Sequence, residues 1–330
     1  MYFLDLANLV KLIQDFKGVT RKNSISEVTN LLESVYNISG DVLLDFGDDA
    51  SAIDIGNNQV ILFAADGIWG QLIELDPYWA GYCAVLVNVN DIAAMGGKPL
   101  AMVNILAANN DNVSEELIKG IKCGCEKFNV PMVGGHFHPD AEYNSVSVAI
   151  IGIMDKDKII SSSGANVGDK VLVAIDLEGR FYDEETKLNW DTTYNKDFQL
   201  VRDQISVMNK IANEKLPTAG KDISNPGILG TLEMLLEASG VGAVVNLEKI
   251  PKNEDVPWEV WLKAYPGAGF VLTAPSENCD KIIKNLEKYS LTTNVVGTVT
   301  NEKVLYLENE NEKLAVFKQD ENPVLKFGDY

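Results

Sequence analysis

The sequence predicts an α+β protein of two domains, on three observations. Its 330 residues, 46% hydrophobic and 23% charged, suit roughly two globular units of about 150 residues each. Short apolar strand-like runs and helix-periodic segments mix irregularly, without the strict alternation of a doubly wound sheet. The turn-rich segment Gly164-Ala-Asn-Val-Gly-Asp-Lys170 then interrupts the chain near its middle. It sets the expected boundary between a domain of residues 1–160 and one of 161–330.

The elements follow from local pattern. Residues 1–11 place Asp5 inside an apolar stretch with no basic lead or small-residue cleavage site, which reads as an amphipathic helix and not as a signal peptide. Ser24-x-x-Glu27 is a capping box opening a helix over 24–37, whose Val28, Leu31, Leu32 and Val35 would face inward. Strands are expected over 42–46, 60–65, 100–107, 131–133 and 146–154, and helices over 78–94 and 114–128. In the second half an apolar strand covers 171–175. The polar stretch 178–198, with Arg180, Asp183, Glu184, Glu185 and Trp190-Asp-Thr-Thr193, follows neither period and reads either as a functional loop or as a solvated insertion. Asp222-Ile-Ser-Asn-Pro-Gly227 leads into a helix over 228–239. Ser224 or Asn225 suits its cap, Pro226 its first turn and Gly240 its C′ position. Strands over 241–247, 270–274, 294–299 and 304–307, with helices over 258–264 and 277–289, complete a second α+β unit.

The bulk chemistry narrows the function. A formal charge of −20 argues against a nucleic-acid or anionic-membrane surface, which is bound through clustered Lys and Arg. No run approaches the roughly 20 apolar residues of a membrane span. The four cysteines, Cys83, Cys123, Cys125 and Cys279, are too sparse for a disulfide scaffold and fit a reducing, cytoplasmic setting.

Four short loops carry most of the chemistry: Gly47-Asp48-Asp49-Ala50, Ala65-Asp66-Gly67, Asn90-Asp91 within Val89-Asn-Asp-Ile-Ala-Ala-Met-Gly-Gly-Lys-Pro99, and Gly134-Gly135-His136. Each ends or follows an apolar run, so buried elements would bring hard oxygen ligands and bare backbone N–H groups to one edge. That arrangement holds a Mg²⁺-bound polyphosphate. Any one of these Asp residues alone reads as a cap or turn residue. Jointly they read as metal ligands, because an isolated buried carboxylate is costly and ATP approaching so acidic a protein needs a divalent cation. Gly96 and Gly97 would let backbone approach a ligand closely. His136 and His138, the only histidines, fall in one Gly-rich segment and suit a ligand, proton-transfer or phosphate-contact role, with a structural turn as the alternative. Arg21 and Lys22, near Lys17 and Gly18, suit a cationic arm over bound phosphates, against the reading of a solvated basic turn. Asp222 and Ser224 precede a helix N-terminus and mark a second phosphate or substrate point.

At these residues, over about positions 40–275, the sequence resembles the superfamily of aminoimidazole ribonucleotide synthetase, thiamine-monophosphate kinase, selenide water dikinase and the hydrogenase-maturation carbamoyl dehydratase. Gly18-Val-Thr-Arg-Lys22, Trp79-Ala-Gly-Tyr-Cys83, Gly134-Gly-His-Phe-His-Pro-Asp140 and Leu188-Asn-Trp-Asp-Thr192 are similar to the synthetase-related branch called methanogenesis marker protein 2. The resemblance implies a cytoplasmic archaeal protein with ATP and Mg²⁺ as cofactors. It implies an N-terminal α+β domain that dimerises through its sheets into a barrel-like core, and a C-terminal α+β domain that closes the cleft. It further implies that Asp49, Asp66 and Asp91 hold Mg²⁺ on ATP, that Gly134 and Gly135 border the phosphates, and that Asp222 helps from the second domain.

The expectation is an ATP- and Mg²⁺-dependent homodimeric enzyme that phosphorylates or phosphate-activates a small molecule. Arg21 and Lys22 would neutralise the moving phosphoryl group, His136, His138 and Asp222 would serve the acceptor, and Gly47, Asp48, Gly67, Asn90 and Ser224 would line the nucleotide site. The alternative, favoured by Ala64 and Ala65 where the thiamine-monophosphate kinase pattern has hydroxyl residues, is a nucleotide-binding or inactive scaffold that partners another enzyme during its maturation.

Overall fold

Buried apolar stripes organise the chain into two mixed α/β layers. The computed structural model describes residues 5–32, 34–108, 110–182 and 187–325. Asp183, Glu184 and Glu185, named above in the polar excursion, lie outside the described residues, as do residues 1–4 of the N-terminal reading. The first sheet holds β1 (Val42–Leu44), β2 (Ser51–Gly56), β3 (Gln59–Gly67), β4 (Lys98–Ala107), β5 (Met132–His138) and β6 (Ser145–Asp155), in the order β1-β2-β3-β6-β4-β5. Only β4 and β5 run parallel.

Ahead of that sheet come α1 (Leu6–Gln14), the short α2 (Lys17–Thr20), a 3₁₀ turn over Arg21–Ser24 and α3 (Ile25–Leu32). The sheet is covered on one face by α4 (Gly70–Leu75), α5 (Pro77–Ala94) and α6 (Asp111–Phe128). Asp76 caps α5 by accepting from Trp79 N at 2.9 Å, and Pro77 fills the first helical position. The helix is apolar on nearly every side, so it is buried on nearly every side. It crosses α6 through glycines: a Cβ at Gly120 would lie 1.9 Å from Tyr78 O, and one at Gly81 2.1 Å from Leu117 O. Backbones therefore touch directly, which no larger residue permits.

The second half contains β7 (Lys170–Ile175), β8 (Arg180–Phe181), β9 (Asn189–Asp191), α7 (Phe198–Asn213), β10 (Ala219–Asp222), α8 (Gly227–Ser239), β11 (Gly242–Asn246), α9 (Trp258–Trp261), β12 (Tyr265–Pro266), β13 (Gly269–Ala274), α10 (Ser276–Glu287), β14 (Thr292–Thr300), β15 (Val304–Glu308) and β16 (Lys313–Lys318). Seven of these strands form a sheet in the order β10-β13-β7-β14-β11-β15-β16, and β12-β9-β8 form a small separate one. Both faces of the large sheet are buried: in β7, Leu172 and Ala174 join the core shared with the first domain, whereas Val171, Val173 and Ile175 join a second core with α8. This explains the unbroken apolar run over 171–175. Leu6, Leu9, Val10 and Ile13 of α1 fill that second core, so the N-terminal helix packs with the second domain.

Several local expectations are corrected. The helix expected over 24–37 ends at Leu32, and its apolar stripe points outward, with Leu31 83% exposed. Periodicity finds a stripe but not what covers it. Gly134, Gly135 and His136 lie within β5 and not in a loop, because glycines read as breakers even where a strand uses them. The caps of α8 also differ: Pro226 is its N-cap, and neither Ser224 nor Asn225 makes a side-chain cap bond. Within one chain the first sheet stays open and does not close into a barrel. Its uncovered face carries Phe63, Val103, Ile105 and Ile151, all exposed.

Candidate active site

A cleft of about 770 Å³ lies where the first sheet, α5 and the second domain meet. Along β3 the residues Val60, Leu62 and Ala64 are buried, so alternation turns Asp66, two positions further on, toward the helical side where the cleft opens. Asp49 stands in the turn between β1 and β2, Asp91 on the last turn of α5, and Asp222 at the end of β10. One carboxylate oxygen from each of Asp49, Asp91 and Asp222 lies within 4.8 Å of the others. Three separate segments and both domains supply them.

The cleft has its own charge balance. Lys221 Nζ meets Asp49 Oδ1 at 2.5 Å and donates to Gly47 O at 3.2 Å, while Asp222 N donates to Asp49 Oδ2 at 3.3 Å. Asp91 and Asp222 are both pushed well above the usual aspartate range by burial first, and then by the neighbouring carboxylates. Burial raises Asp49 and Asp66 too, opposed by Lys221 in the first case and by Lys22 in the second. For Lys221, burial works against the ammonium, but Asp49 and Asp48 outweigh it and hold its pKa above the ordinary value. Lys22 is lowered by burial and by Arg21 beside it. Four carboxylates facing two lysines and an arginine form a site short of positive charge, the usual setting of a hard divalent cation with oxygen ligands. The donor set fits Mg²⁺.

Arg21, Lys22, Gly47, Asp48, Asp49, Asp66, Gly67, Asn90, Asp91, Asp222 and Ser224 all border this cleft. Asp48 is partly committed elsewhere, its Oδ1 accepting from Ser162 N at 2.5 Å and from Ser162 Oγ at 2.6 Å. Asn90 donates to Gly267 O at 3.0 Å, tying α5 to the second domain. The structure does not bring Gly96, Gly97, Gly134, Gly135, His136 or His138 to the cleft. Gly96 and Gly97 serve packing: a Cβ on either would lie 2.4 Å from Ala212 Cβ or from Leu62 Cδ1 respectively. Gly135 makes room for Asn104 on the neighbouring strand. His136 pairs in register with Ile105, which is 56% exposed on the uncovered face, so the edge strand β5 carries His136 away from Asp66. The rings of His136 and His138 stand 4.4 Å apart there. Sequence reasoning missed Lys221. No local signal separates it from a surface lysine beside an aspartate.

The two-domain α+β fold thus carries a cleft whose carboxylates come from both domains. Models of the N-terminal and C-terminal domains of AIR synthase related protein match residues 47–154 and 157–308. The chain belongs to the AIR synthase related family. An uncharacterised protein of Methanocaldococcus jannaschii is 48% identical, over 95% of this chain and 97% of that protein. Among solved structures, AaThiL complexed with AMPPCP and TMP superposes with a TM-score of 0.65 at 22% identity, covering 89% of this chain and 96% of that one. T. maritima PurL complexed with ATP gives a TM-score of 0.71 at 20% identity over 90% of this chain. This chain spans only 50% of that PurL chain. Among the described residues no helix is long and apolar enough to cross a membrane.

Proposed function

We propose that this protein is a Mg²⁺-dependent enzyme that uses ATP to phosphorylate or phosphate-activate a small molecule. The observation that carries the reading is the convergence of Asp49, Asp91 and Asp222 within 4.8 Å from three segments and both domains. Asp49, Asp91, Asp222 and the neighbouring Asp66 would hold Mg²⁺, which supplies charge neutralisation on the polyphosphate oxygens. Lys221 fixes Asp49 in place and closes the first-domain turn onto β10. Lys22 and Arg21 at the cleft wall neutralise charge on the transferred group. Ser224 and the glycines Gly47 and Gly67 leave room for phosphate oxygens beside backbone N–H groups.

The uncovered apolar face of the first sheet supports a homodimer, since contiguous exposed apolar surface of this kind marks an interaction site. A second reading, a nucleotide-binding scaffold serving the maturation of another enzyme, is favoured by one observation: among the described residues no histidine borders the cleft. Titration calorimetry with ATP, with and without Mg²⁺, followed by assay for ADP release, separates them. The enzyme reading requires Mg²⁺-dependent binding and turnover in the presence of an acceptor. Tight binding without turnover across acceptor classes favours the scaffold, and absence of binding overturns both.

A further inference from the structure

The turn that carries Asp49 is gripped by the segment joining the two domains. Ser162 stands between β6 and β7 and is 0% exposed. Its backbone N–H and its hydroxyl both donate to Asp48 Oδ1, at 2.5 and 2.6 Å, and the hydroxyl also lies 3.1 Å from Gly47 O. Hydrogen bonds to an ionised carboxylate are roughly twice as strong as neutral ones, so two of them on one oxygen fix where that side chain points. Ser162 is in turn held from behind. Ser239 Oγ, on the last residue of α8, donates to Ser162 O at 2.8 Å and accepts from Ala165 N at 3.1 Å. The neighbouring Ser161 O accepts from Gly220 N of β10 at 3.2 Å. The grip on Asp48 is therefore anchored in the second domain.

Two adjacent acids thus meet different fates. Asp49 reaches the cluster with Asp91 and Asp222, whereas Asp48 is turned onto Ser162. Yet Asp48 borders the same cleft, and its charge acts on both Asp49 and Lys221. Released from Ser162, its carboxylate would be near enough to join the cluster.

The number and stiffness of the carboxylates decide which hard cation a site prefers. Mg²⁺ demands near-octahedral geometry at about 2.0–2.1 Å and takes few carboxylates, while Ca²⁺ accepts about 6–8 oxygens at about 2.3–2.6 Å in pliant arrangements. One more carboxylate on a loosened turn would suit the larger ion. We infer that Ser162 is a positioning residue for metal choice: by capturing Asp48 it keeps that carboxylate out of the cluster and the turn rigid, and so selects Mg²⁺ over Ca²⁺. Ser162 touches no metal and acts only through Asp48. Its role rests on the metal reading of the cleft and deepens it.

The test titrates MgCl₂ and CaCl₂ separately into the full chain by calorimetry, with circular dichroism to check the fold. Three variants accompany the wild type. Ser162→Ala removes the hydroxyl and keeps the backbone donor; Ser162→Ala with Asp48→Asn also removes the released carboxylate; Ser239→Ala weakens the anchor from outside the cleft. The ratio of Ca²⁺ to Mg²⁺ affinity should rise on the order of tenfold in Ser162→Ala, the scale on which residues behind metal ligands act. It should rise less in Ser239→Ala and return toward the wild-type value in the double variant. A hydrogen bond that merely supports the fold would weaken both cations together, so an unmoved ratio in Ser162→Ala overturns the role. A raised ratio that persists in the double variant overturns it too, because the freed carboxylate is then not the cause. Should Ser162→Ala fail to fold, Ser239→Ala decides on the same ratio. A wild type that binds neither cation overturns the metal reading and this role with it, a result distinct from an unmoved ratio.

Discussion

Lys221 Nζ and Asp49 Oδ1 meet at 2.5 Å across the junction of the two domains, with side chains 5% and 6% exposed. A buried pair contributes little net stability when whole, but removing one partner strands the other charge. Lys221→Met should therefore destabilise the protein by about 3–5 kcal/mol. Adding Asp49→Asn to it should recover part of that loss. Guanidinium denaturation of the single and double variants checks this, and an additive double variant would show that the pair is not coupled.

Asp91→Asn and Asp49→Asn should each abolish Mg-ATP binding, because each removes a charged ligand from the site; the fold persists in both, though Asp49→Asn also loses stability by stranding Lys221. Calorimetry with circular dichroism on the same samples reads both properties. Asp91→Asn should also raise the melting temperature of the metal-free protein, since its carboxylate is held against Asp222, Asp66 and Asp49. Unchanged nucleotide affinity in both variants ends the metal assignment.

The metal-free protein should lose stability as pH rises above about 4, the ordinary aspartate value. The sign follows from the raised pKa values of Asp91, Asp222, Asp49 and Asp66. In the window above the unfolded value, the unfolded chain has released protons that the fold still retains, so unfolding gains with each step in pH. Excess Mg²⁺ should flatten the slope. Thermal melts in EDTA and in Mg²⁺ between pH 4.5 and 8 (on the order of the span over which such groups titrate) measure it, and a rising EDTA curve would contradict the electrostatic account.

Ile105→Asp and Phe63→Asp, on the uncovered face of the first sheet, should convert a dimer to a monomer with little effect on Mg-ATP affinity. Sedimentation velocity decides. A wild-type protein sedimenting as a compact 36.2 kDa monomer at micromolar concentration would remove the dimer proposal.

The sequence made the α+β class and the acidic cleft readable for a physical reason. Asp66 and Asp91 each follow apolar runs long enough to identify a buried element, which then delivers its end to a shared edge, whereas Asp49 follows the short, half-exposed β1. Lys221 was not readable, since a lysine beside an aspartate looks the same on a surface as in a buried ion pair. His136 and His138 looked like site residues because rarity and neighbouring glycines drew notice. Which side of β5 they occupy depends on register with Ile105, a long-range fact no local pattern contains. The same holds for the stripe of α3, where Val28 and Leu31 repeat at helical spacing with no indication of their partner. The 178–198 segment concealed Tyr182 because its structure depends on stacking against Trp79, about a hundred residues earlier.

Because Leu6, Leu9, Val10 and Ile13 of α1 fill the core beneath α8, the linear and spatial partitions of this molecule differ. A gene cut near codon 160 would yield a second half with an apolar trench where its helix belongs, and a first half trailing a sticky, unmatched strap. Recombination between relatives meets the same constraint: a foreign second half arrives with a seat shaped for its own leading helix. The stretch that connects that helix to the first sheet carries Arg21 and Lys22, so a swap made there also exchanges the cations of the cleft. Inheritance of this architecture is therefore all-or-nothing from the first helix onward, even though two separable family domains are written along it.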